Sequence, residues 1–214
     1  MATVENQTAG HVLLHNIAWS TYEAIVAENG NPGTRFTYDR GTMEIMSPSK
    51  QHERFKRLIG RMIETLTEEL GIPISSAGST TWKSELREQG VEPDECYYVA
   101  NESCVRGRDE IDLAVDPPPD LAVEVEITSS WIDKMPIYAG LGVPEVWRYD
   151  GKALHVEQLQ ADGTYAGQTQ SSAFPFLPLA EIPRFLDRRN ATDETTWIRS
   201  FREWVRGVHG GRGG

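Results

Sequence analysis

The sequence predicts an α/β or α+β fold with a mixed central sheet. Helical and strand-like segments follow one another in mixed order along the chain, without separate helical and strand halves. One strand-like run, residues 121–128, is rich in Val and Ile, which favours a central and buried position. With 214 residues, of which 39% are hydrophobic, the chain can bury a sizeable core without disulfides or metals to hold it together.

The first predicted elements are a short helix and a hairpin. The segment Ser20-Thr-Tyr-Glu23 is typical of a capping box, so a helix should begin there and end near Gly30. Residues alternate in character over Arg35–Asp39 and again over Thr42–Met46. The turn sequence Asp39-Arg40-Gly41 joins these two runs, and the whole segment therefore predicts a β-hairpin.

A long amphipathic helix follows the hairpin. Ser49 can cap its beginning and Gly71 can end it. His52 falls within its apolar stripe, so its side chain should turn inward. The other residues of the stripe are Phe55, Leu58, Ile59, Met62, Ile63, Leu66 and Leu70.

The remaining elements are strands, one short helix and a last helix. Pro136 lacks a backbone N–H and fits a first helical turn, so the short helix should begin near Asp133 or Lys134 and end at Gly142. An aromatic stripe over residues 197–205 predicts the last helix. The predicted strands cover residues 72–82, 94–99, 111–115, 121–128, 145–149, 153–159 and 164–169.

The chain is expected to consist of one domain with short C-terminal additions. We expect residues 1–182 to form this domain, residues 183–206 a helical extension, and residues 207–214 a flexible Gly/Arg tail. No run approaches the roughly 20 apolar residues of a membrane span, and the N-terminus lacks a signal-peptide pattern. Cys96 and Cys104 have neither metal-finger spacing nor the density of a disulfide scaffold. We therefore expect a cytoplasmic protein that does not bind a membrane and does not use an organic cofactor.

The formal net charge of −11 is concentrated in one stretch. Residues 85–126 contain 13 acidic side chains and three arginines, whereas the rest of the chain is almost neutral. This acidity argues against tight nonspecific binding of nucleic acid, but a cation site requires it. Residues 50–61 carry a net charge of +4 and are expected to remain available for phosphates.

Acidic side chains share one face of the strand at residues 120–128. Alternation places Asp120, Glu124 and Glu126 on one face, and on the other Leu121, Val123, Val125 and Ile127. The like charges of Glu124 and Glu126 repel on a central strand, and coordination of a divalent cation would relieve that repulsion. The alternative is an ordinary solvated strand face.

Three further residues are candidates for the same site. Asp94 follows Pro93 and lies by alternation among partly buried residues, where a carboxylate needs a partner. Lys134 begins the short helix, and His52 lies in the first turn of the long helix. Carboxylates with a lysine suit magnesium-dependent cleavage of phosphodiesters, in which the cation activates water and the lysine stabilises the developing charge. Each residue also has a plain structural explanation, as a strand start, a surface lysine or a core histidine.

Several motifs occur together in the order of a known family. They are Glu44-Ile-Met-Ser-Pro-Ser with His52, Pro93-Asp94, Pro119-Asp120-Leu-Ala-Val-Glu124-Val, Lys134, and Tyr138-Ala-Gly-Leu-Gly-Val-Pro-Glu-Val-Trp147. Over roughly residues 17–178 the chain resembles the Uma-type putative restriction endonucleases, a branch of the PD-(D/E)XK nuclease superfamily. The resemblance implies a restriction-endonuclease-like core, in which helices flank a mixed sheet around a Mg²⁺ site, with Mn²⁺ as a substitute.

The resemblance also implies roles for particular residues. Asp94 and Glu124 would be metal ligands, Lys134 the catalytic lysine, and His52 a contributor from the long helix. The superfamily usually has lysine two residues after its second acid, but here that position is Glu126, our third candidate ligand. Either Lys134 has taken over the role of that lysine, or the site has lost activity, and Glu126 could also position the attacking water.

We therefore expect a magnesium-dependent endonuclease that acts on DNA, as a homodimer. One alternative is a catalytically inactive nuclease fold that binds nucleic acid or a protein partner. A third alternative for the same residues is hydrolysis of a small phosphoester.

Overall fold

The computed structural model describes residues 3–8, 10–28, 33–128 and 130–209. Within these ranges, two six-stranded sheets are covered by helices. The strands are β1 (Thr3–Thr8), β2 (His11–His15), β3 (Arg35–Asp39), β4 (Thr42–Met46), β5 (Ser75–Ser76), β6 (Trp82–Ser84), β7 (Gln89–Val91), β8 (Glu95–Tyr98), β9 (Leu121–Val125), β10 (Glu145–Tyr149), β11 (Leu154–Leu159) and β12 (Tyr165–Gln168). The helices are α1 (Trp19–Ala27), α2 (Lys50–Leu70), α3 (Glu102–Val105), α4 (Met135–Leu141), α5 (Glu181–Asp187) and α6 (Glu194–His209).

The two sheets differ in strand direction. Sheet A has the order β1-β2-β4-β3-β7-β6 and is antiparallel throughout. Sheet B has the order β12-β11-β10-β9-β8-β5, in which β9 and β10 run parallel and the other neighbours antiparallel. Sheet B is therefore the predicted mixed sheet, and β9 lies in its interior.

The helices α2, α5 and α6 cover one face of sheet B. The odd-numbered residues of β9 share a core cluster with the apolar stripe of α2 and with the aromatic residues of α6. Ser49 caps α2 by accepting a hydrogen bond from the backbone N–H of His52 at 3.1 Å. Gly71 ends the helix with a positive φ of 63°, so the predicted long helix and both of its ends are confirmed.

The short helix α4 packs on the opposite face of sheet B. Its Tyr138 shares a cluster with Cys96 and Tyr98 of β8. Lys134 is the N-cap residue and Gly142 ends the helix with a φ of 78°, so the predicted short helix is confirmed. Strands β6 and β7 of sheet A join the same cluster, and the two sheets therefore meet at α4.

Sheet A is built around the predicted hairpin. Strands β3 and β4 have the predicted bounds, and Arg40 and Gly41 turn the chain between them with φ angles of 44° and 91°. Helix α1 packs on this sheet through Tyr22, whose ring stacks on that of Tyr38 with 4.7 Å between centroids. Gly90 of β7 lies directly beneath Tyr22 and leaves room for its hydroxyl.

The predicted first helix is present as α1, but its predicted cap and the predicted strand after α2 are wrong. Helix α1 begins at Trp19 with Ala18 as N-cap residue, and no side chain caps it. Trp19 is buried, so tertiary packing rather than the Ser20 hydroxyl determines where the helix starts. The predicted strand over residues 72–82 is broken, because Gly78 turns the chain at a φ of 55° and sends β5 to sheet B and β6 to sheet A.

The predicted strand over residues 111–115 is also wrong. This segment forms turns, and Val115 is 81% exposed. The apolar alternation is present, but no neighbouring strand pairs with it among the described residues, and strand propensity alone does not hold a strand. Elements β1, β2, β7 and α3 were not predicted, whereas α5 and α6 lie mostly within the expected helical extension.

The C-terminal segment packs onto the main core. Helix α5 contains Pro183 within its first turn, and α6 lies along α2. Helix α6 continues to His209, and the rest of the expected flexible tail, residues 210–214, lies outside the described residues, as does Gly30. Among the helices that the structure describes, none combines the length and apolar character needed to cross a bilayer.

Candidate active site

Glu124 lies on the interior strand β9 and is only 3% exposed. The ammonium Nζ of Lys134 donates a hydrogen bond to its Oε2 at 2.8 Å. The hydroxyl of Tyr138 donates to the other oxygen, Oε1. Burial raises the pKa of Glu124 above its usual value, although the positive charge of Lys134 opposes the shift.

Lys134 and Tyr138 reach the same carboxylate because both belong to the start of α4. They are four residues apart, so they lie on one face of the helix. Burial alone would lower the pKa of Lys134, but the charges of Glu124 and Asp94 outweigh it and raise that pKa. Lys134 is therefore a cation at neutral pH.

Asp94 stands just before β8 and is fixed against the end of β9. Its backbone N–H donates to the carbonyl of Val123 at 3.1 Å, and its carboxylate Oδ2 accepts from the N–H of Val125 at 2.8 Å. The Nε2 atom of His52 lies 3.2 Å from the same oxygen. Burial acts to raise the pKa of Asp94, but these contacts and the charge of Lys134 lower it overall.

His52 enters the site from the first turn of α2. It is 2% exposed, in agreement with its predicted inward position. Its Nδ1 atom is buried and makes no hydrogen bond to any described residue. The carboxylate Oε1 of Glu53 lies 3.9 Å from this nitrogen.

These side chains meet beside a cleft of about 230 Å³ between the two sheets. Sheet A contributes Arg35 and Glu44 to its lining, and the ends of β9 and β10 contribute Glu126 and Arg148. His52, Glu124 and Lys134 also line it. The structure thus brings together Asp94, Glu124, Lys134 and His52, as the sequence predicts.

Glu126 does not join that group. It follows the last residue of β9, and its two carboxylate oxygens accept from Nε and Nη2 of Arg148 at 2.8 and 2.9 Å. The role of Glu126 as a third metal ligand stays a prediction. In this structure the partner of Glu126 is a guanidinium group.

Three residues in or beside the site had no predicted role there: Glu44 and Arg148, which line the cleft, and Tyr138, which contacts Glu124. Tyr138 was expected only as part of a family motif, but its i, i+4 spacing from Lys134 was a signal for its contact with Glu124. Glu44 is buried and accepts from His11 and from the N–H of Trp131 at 3.0 Å each, so it holds the segment before α4 in place. Arg148 is a charged residue between Trp147 and Tyr149 of β10, and that interruption of the aromatic residues was its signal.

The charges outside the site are mostly used in other contacts. In the acidic stretch, Asp120 accepts from the N–H of Val99 at 2.7 Å, and other carboxylates pair with nearby arginines. In the basic segment of α2, Arg54 and Arg61 pair with Glu194 of α6 at 3.1 and 3.4 Å. Two of the arginines expected to be free for phosphates are therefore engaged within the protein.

The donor set of the site fits Mg²⁺. Among the described residues, no group of three or more His, Cys, Asp or Glu side chains is arranged around one metal position. Mg²⁺ commonly uses only one or two carboxylates and completes its shell with water and substrate phosphate. Asp94 and Glu124 are two such carboxylates, fixed by second contacts, and Oδ1 of Asp94 makes no hydrogen bond to a residue that the structure describes.

A mixed sheet flanked by helices is the architecture of the restriction-endonuclease-like class of fold, and here a buried aspartate and glutamate lie beside a lysine at the start of the next helix. A family model described as "Putative restriction endonuclease" matches residues 19–187. The chain belongs to this family, Uma2, and the resemblance inferred from the sequence motifs is confirmed. No curated protein matches the chain.

Proposed function

We propose that this protein is a magnesium-dependent endonuclease that hydrolyses phosphodiester bonds in DNA. The observation that carries the proposal is the pair of buried carboxylates, Asp94 and Glu124, which share the charge of Lys134 beside the cleft. Burying three ionised groups together costs stability and is weak evidence of a structural role. Perturbed titratable groups in a cleft are typical of functional sites.

Each residue has a distinct role in the proposed reaction. Asp94 and Glu124 would hold the cation, which when bound supplies a Lewis acid and lowers the pKa of an attacking water. Lys134 places a positive charge where negative charge develops on the phosphate. His52 and the N–H of Val125 hold Asp94 in position, and Tyr138 does the same for Glu124.

Cleavage of supercoiled plasmid DNA tests the proposal, with Mg²⁺, with Mn²⁺ and with EDTA. We expect nicking with either metal and none with EDTA. Asp94→Asn, Glu124→Gln and Lys134→Met should each lower the rate by at least about 100-fold, because each removes charge from the reacting centre. Lys83→Met is the matched control, since Lys83 also pairs with a glutamate at 2.8 Å but lies 40% exposed on the surface.

An inactive nuclease fold that binds nucleic acid or a protein is the second candidate. It is favoured by the contact of Glu126 with Arg148, since Glu126 occupies the position where the superfamily usually has its lysine. Binding of Mg²⁺ without cleavage of a broad panel of DNA and RNA would support this candidate. Absence of any divalent-ion binding at millimolar concentration would contradict the nuclease proposal.

The proposal extends to the assembly and location of the protein. A homodimer would bring two such sites to the two strands of a duplex, and sedimentation of the purified protein measures the oligomeric state. Cytoplasmic location stays a prediction, and fractionation of the source cells tests it.

A further inference from the structure

Arg148 is placed directly beside the proposed reacting centre. In the parallel pairing of β9 with β10, Arg148 is opposite Glu124. Paired residues of neighbouring strands lie on the same face of the sheet, about 5 Å apart. The side chain of Arg148 therefore leaves the sheet next to that of Glu124 and, like it, lines the cleft.

The guanidinium group of Arg148 is held by Glu126 at the edge of the cleft. The pair is bidentate, and the side chains of Arg148 and Glu126 are 34% and 37% exposed. A second carboxylate, Glu157, is 4.0 Å away. Exposed pairs of this kind contribute little to stability, so folding alone does not explain a charged pair at this place.

A phosphate can replace Glu126 without any rearrangement of Arg148. The planar fork of a guanidinium group binds carboxylates and phosphates with the same bidentate geometry. Glu126 follows the end of β9 and is already in contact with solvent, so it can turn to water when it is displaced. The cleft therefore contains a preformed anion site whose present occupant is a side chain of the protein.

We propose that Arg148 binds a backbone phosphate of the nucleic acid, and that Glu126 is an internal competitor that holds the guanidinium in place until that phosphate displaces it. The inference rests on the proposed function for its ligand, a phosphodiester of DNA. It gives Glu126 the role of a positioning residue for Arg148 rather than that of a metal ligand.

Binding of a short DNA duplex, measured by fluorescence anisotropy in EDTA over a series of salt concentrations, tests the proposal without any cleavage. Arg148→Met removes one phosphate contact, so the slope of log K against log salt concentration should become shallower by about 0.9. The affinity at the lowest salt concentration should fall about tenfold. Arg106→Met is the matched control, because Arg106 makes the same bidentate pair with Glu102 on α3, outside the residues that line the cleft.

Glu126→Gln tests the competitor. The neutral amide holds Arg148 less strongly, so the duplex should bind more tightly than it binds to the wild type, and calorimetric binding of Mg²⁺ should be unchanged. An unaltered salt slope for Arg148→Met would overturn the proposal, as would the absence of any wild-type binding. Weaker duplex binding or lost Mg²⁺ binding in Glu126→Gln would also overturn it and would favour Glu126 as a metal ligand.

The outcomes separate this inference from the nuclease proposal. A shallower slope in Arg148→Met together with no cleavage by the wild type would refute the nuclease function and leave the phosphate site standing. Cleavage by the wild type together with an unaltered salt slope in Arg148→Met would support the nuclease function and refute the phosphate site.

Discussion

Replacing Lys134 with methionine removes the cation that contacts Glu124 while keeping a side chain of similar length. The side chain of Lys134 is 14% exposed and that of Glu124 only 4%, so little water can take the place of the ammonium group. Removing one partner of a buried pair commonly costs about 3–5 kcal/mol, because the other charge is left uncompensated. In the variant, we expect Glu124 to escape part of this cost by binding a proton.

Protonation of Glu124 determines how much stability Lys134→Met loses and how that loss depends on pH. The unfolded pKa of Glu124 is close to the usual 4.5, and keeping the folded carboxyl protonated costs about 1.4 kcal/mol for each pH unit above that value. The charge-related loss is therefore limited to about 3 kcal/mol at neutral pH and to about 1 kcal/mol near pH 5.5. The folded pKa of Glu124 is raised. The stability of the variant therefore comes closest to that of the wild type at low pH, and the difference between the two grows as pH rises.

Urea denaturation followed by tryptophan fluorescence, at several values between about pH 5 and pH 8, measures this difference. The destabilisation of Lys134→Met should grow with pH over this window, whereas Glu124→Gln combined with Lys134→Met should show much less pH dependence. A destabilisation by Lys134→Met that does not change with pH would refute the reasoning, because it would show that Glu124 remains ionised or is not coupled to Lys134. The reasoning would also be refuted if the free-energy losses of Glu124→Gln and Lys134→Met simply added in the double variant.

Three further substitutions test other parts of the structure. Ser49→Ala removes the cap of α2 and should lower the free energy of unfolding by about 1 kcal/mol in urea denaturation; a neutral result would show that the hydroxyl does not act as a cap. Gly90→Ala would place a methyl group 2.7 Å from Cζ of Tyr22 and should cost about 1–3 kcal/mol, so an unchanged Tm would contradict the close packing of α1. Glu44→Gln should weaken the hold on the backbone at Trp131 and speed limited proteolysis there, with a loss of about 1–3 kcal/mol; equal proteolysis rates would contradict the anchoring role of Glu44.

The elements that the sequence predicts well are those with strong local signals. The bounds of β3 and β4 are correct because the turn residues Arg40 and Gly41 adopt positive φ angles. Helix α2 is correct because its stripe, cap and final glycine agree. The failures are segments whose structure depends on a distant partner, such as β7, which contains Gly90 and is a strand because β3 and β6 pair with it.

In the candidate site, too, local patterns predict some features, whereas others depend on distant partners. Alternation along residues 120–128 correctly separates Glu124 from the apolar face of β9, and helical spacing correctly turns His52 inward. Alternation gives the face of a residue but not its neighbour on the next strand. The contact between Glu126 and Arg148 depends on the parallel pairing of β9 with β10, which are separated along the chain by the whole of α4. No local pattern contains that pairing.

The position of α6 has a consequence for how the chain folds during synthesis. Arg202 of α6 contacts Glu68 of α2 across 134 residues of sequence, and the aromatic stripe of α6 completes the cluster that buries α2. The ribosome therefore makes α2 long before the helix that covers it. Contacts of such long range slow folding and leave apolar surface open to aggregation in the meantime. We expect part of the apolar stripe of α2 to stay uncovered on the nascent chain until α6 has been made.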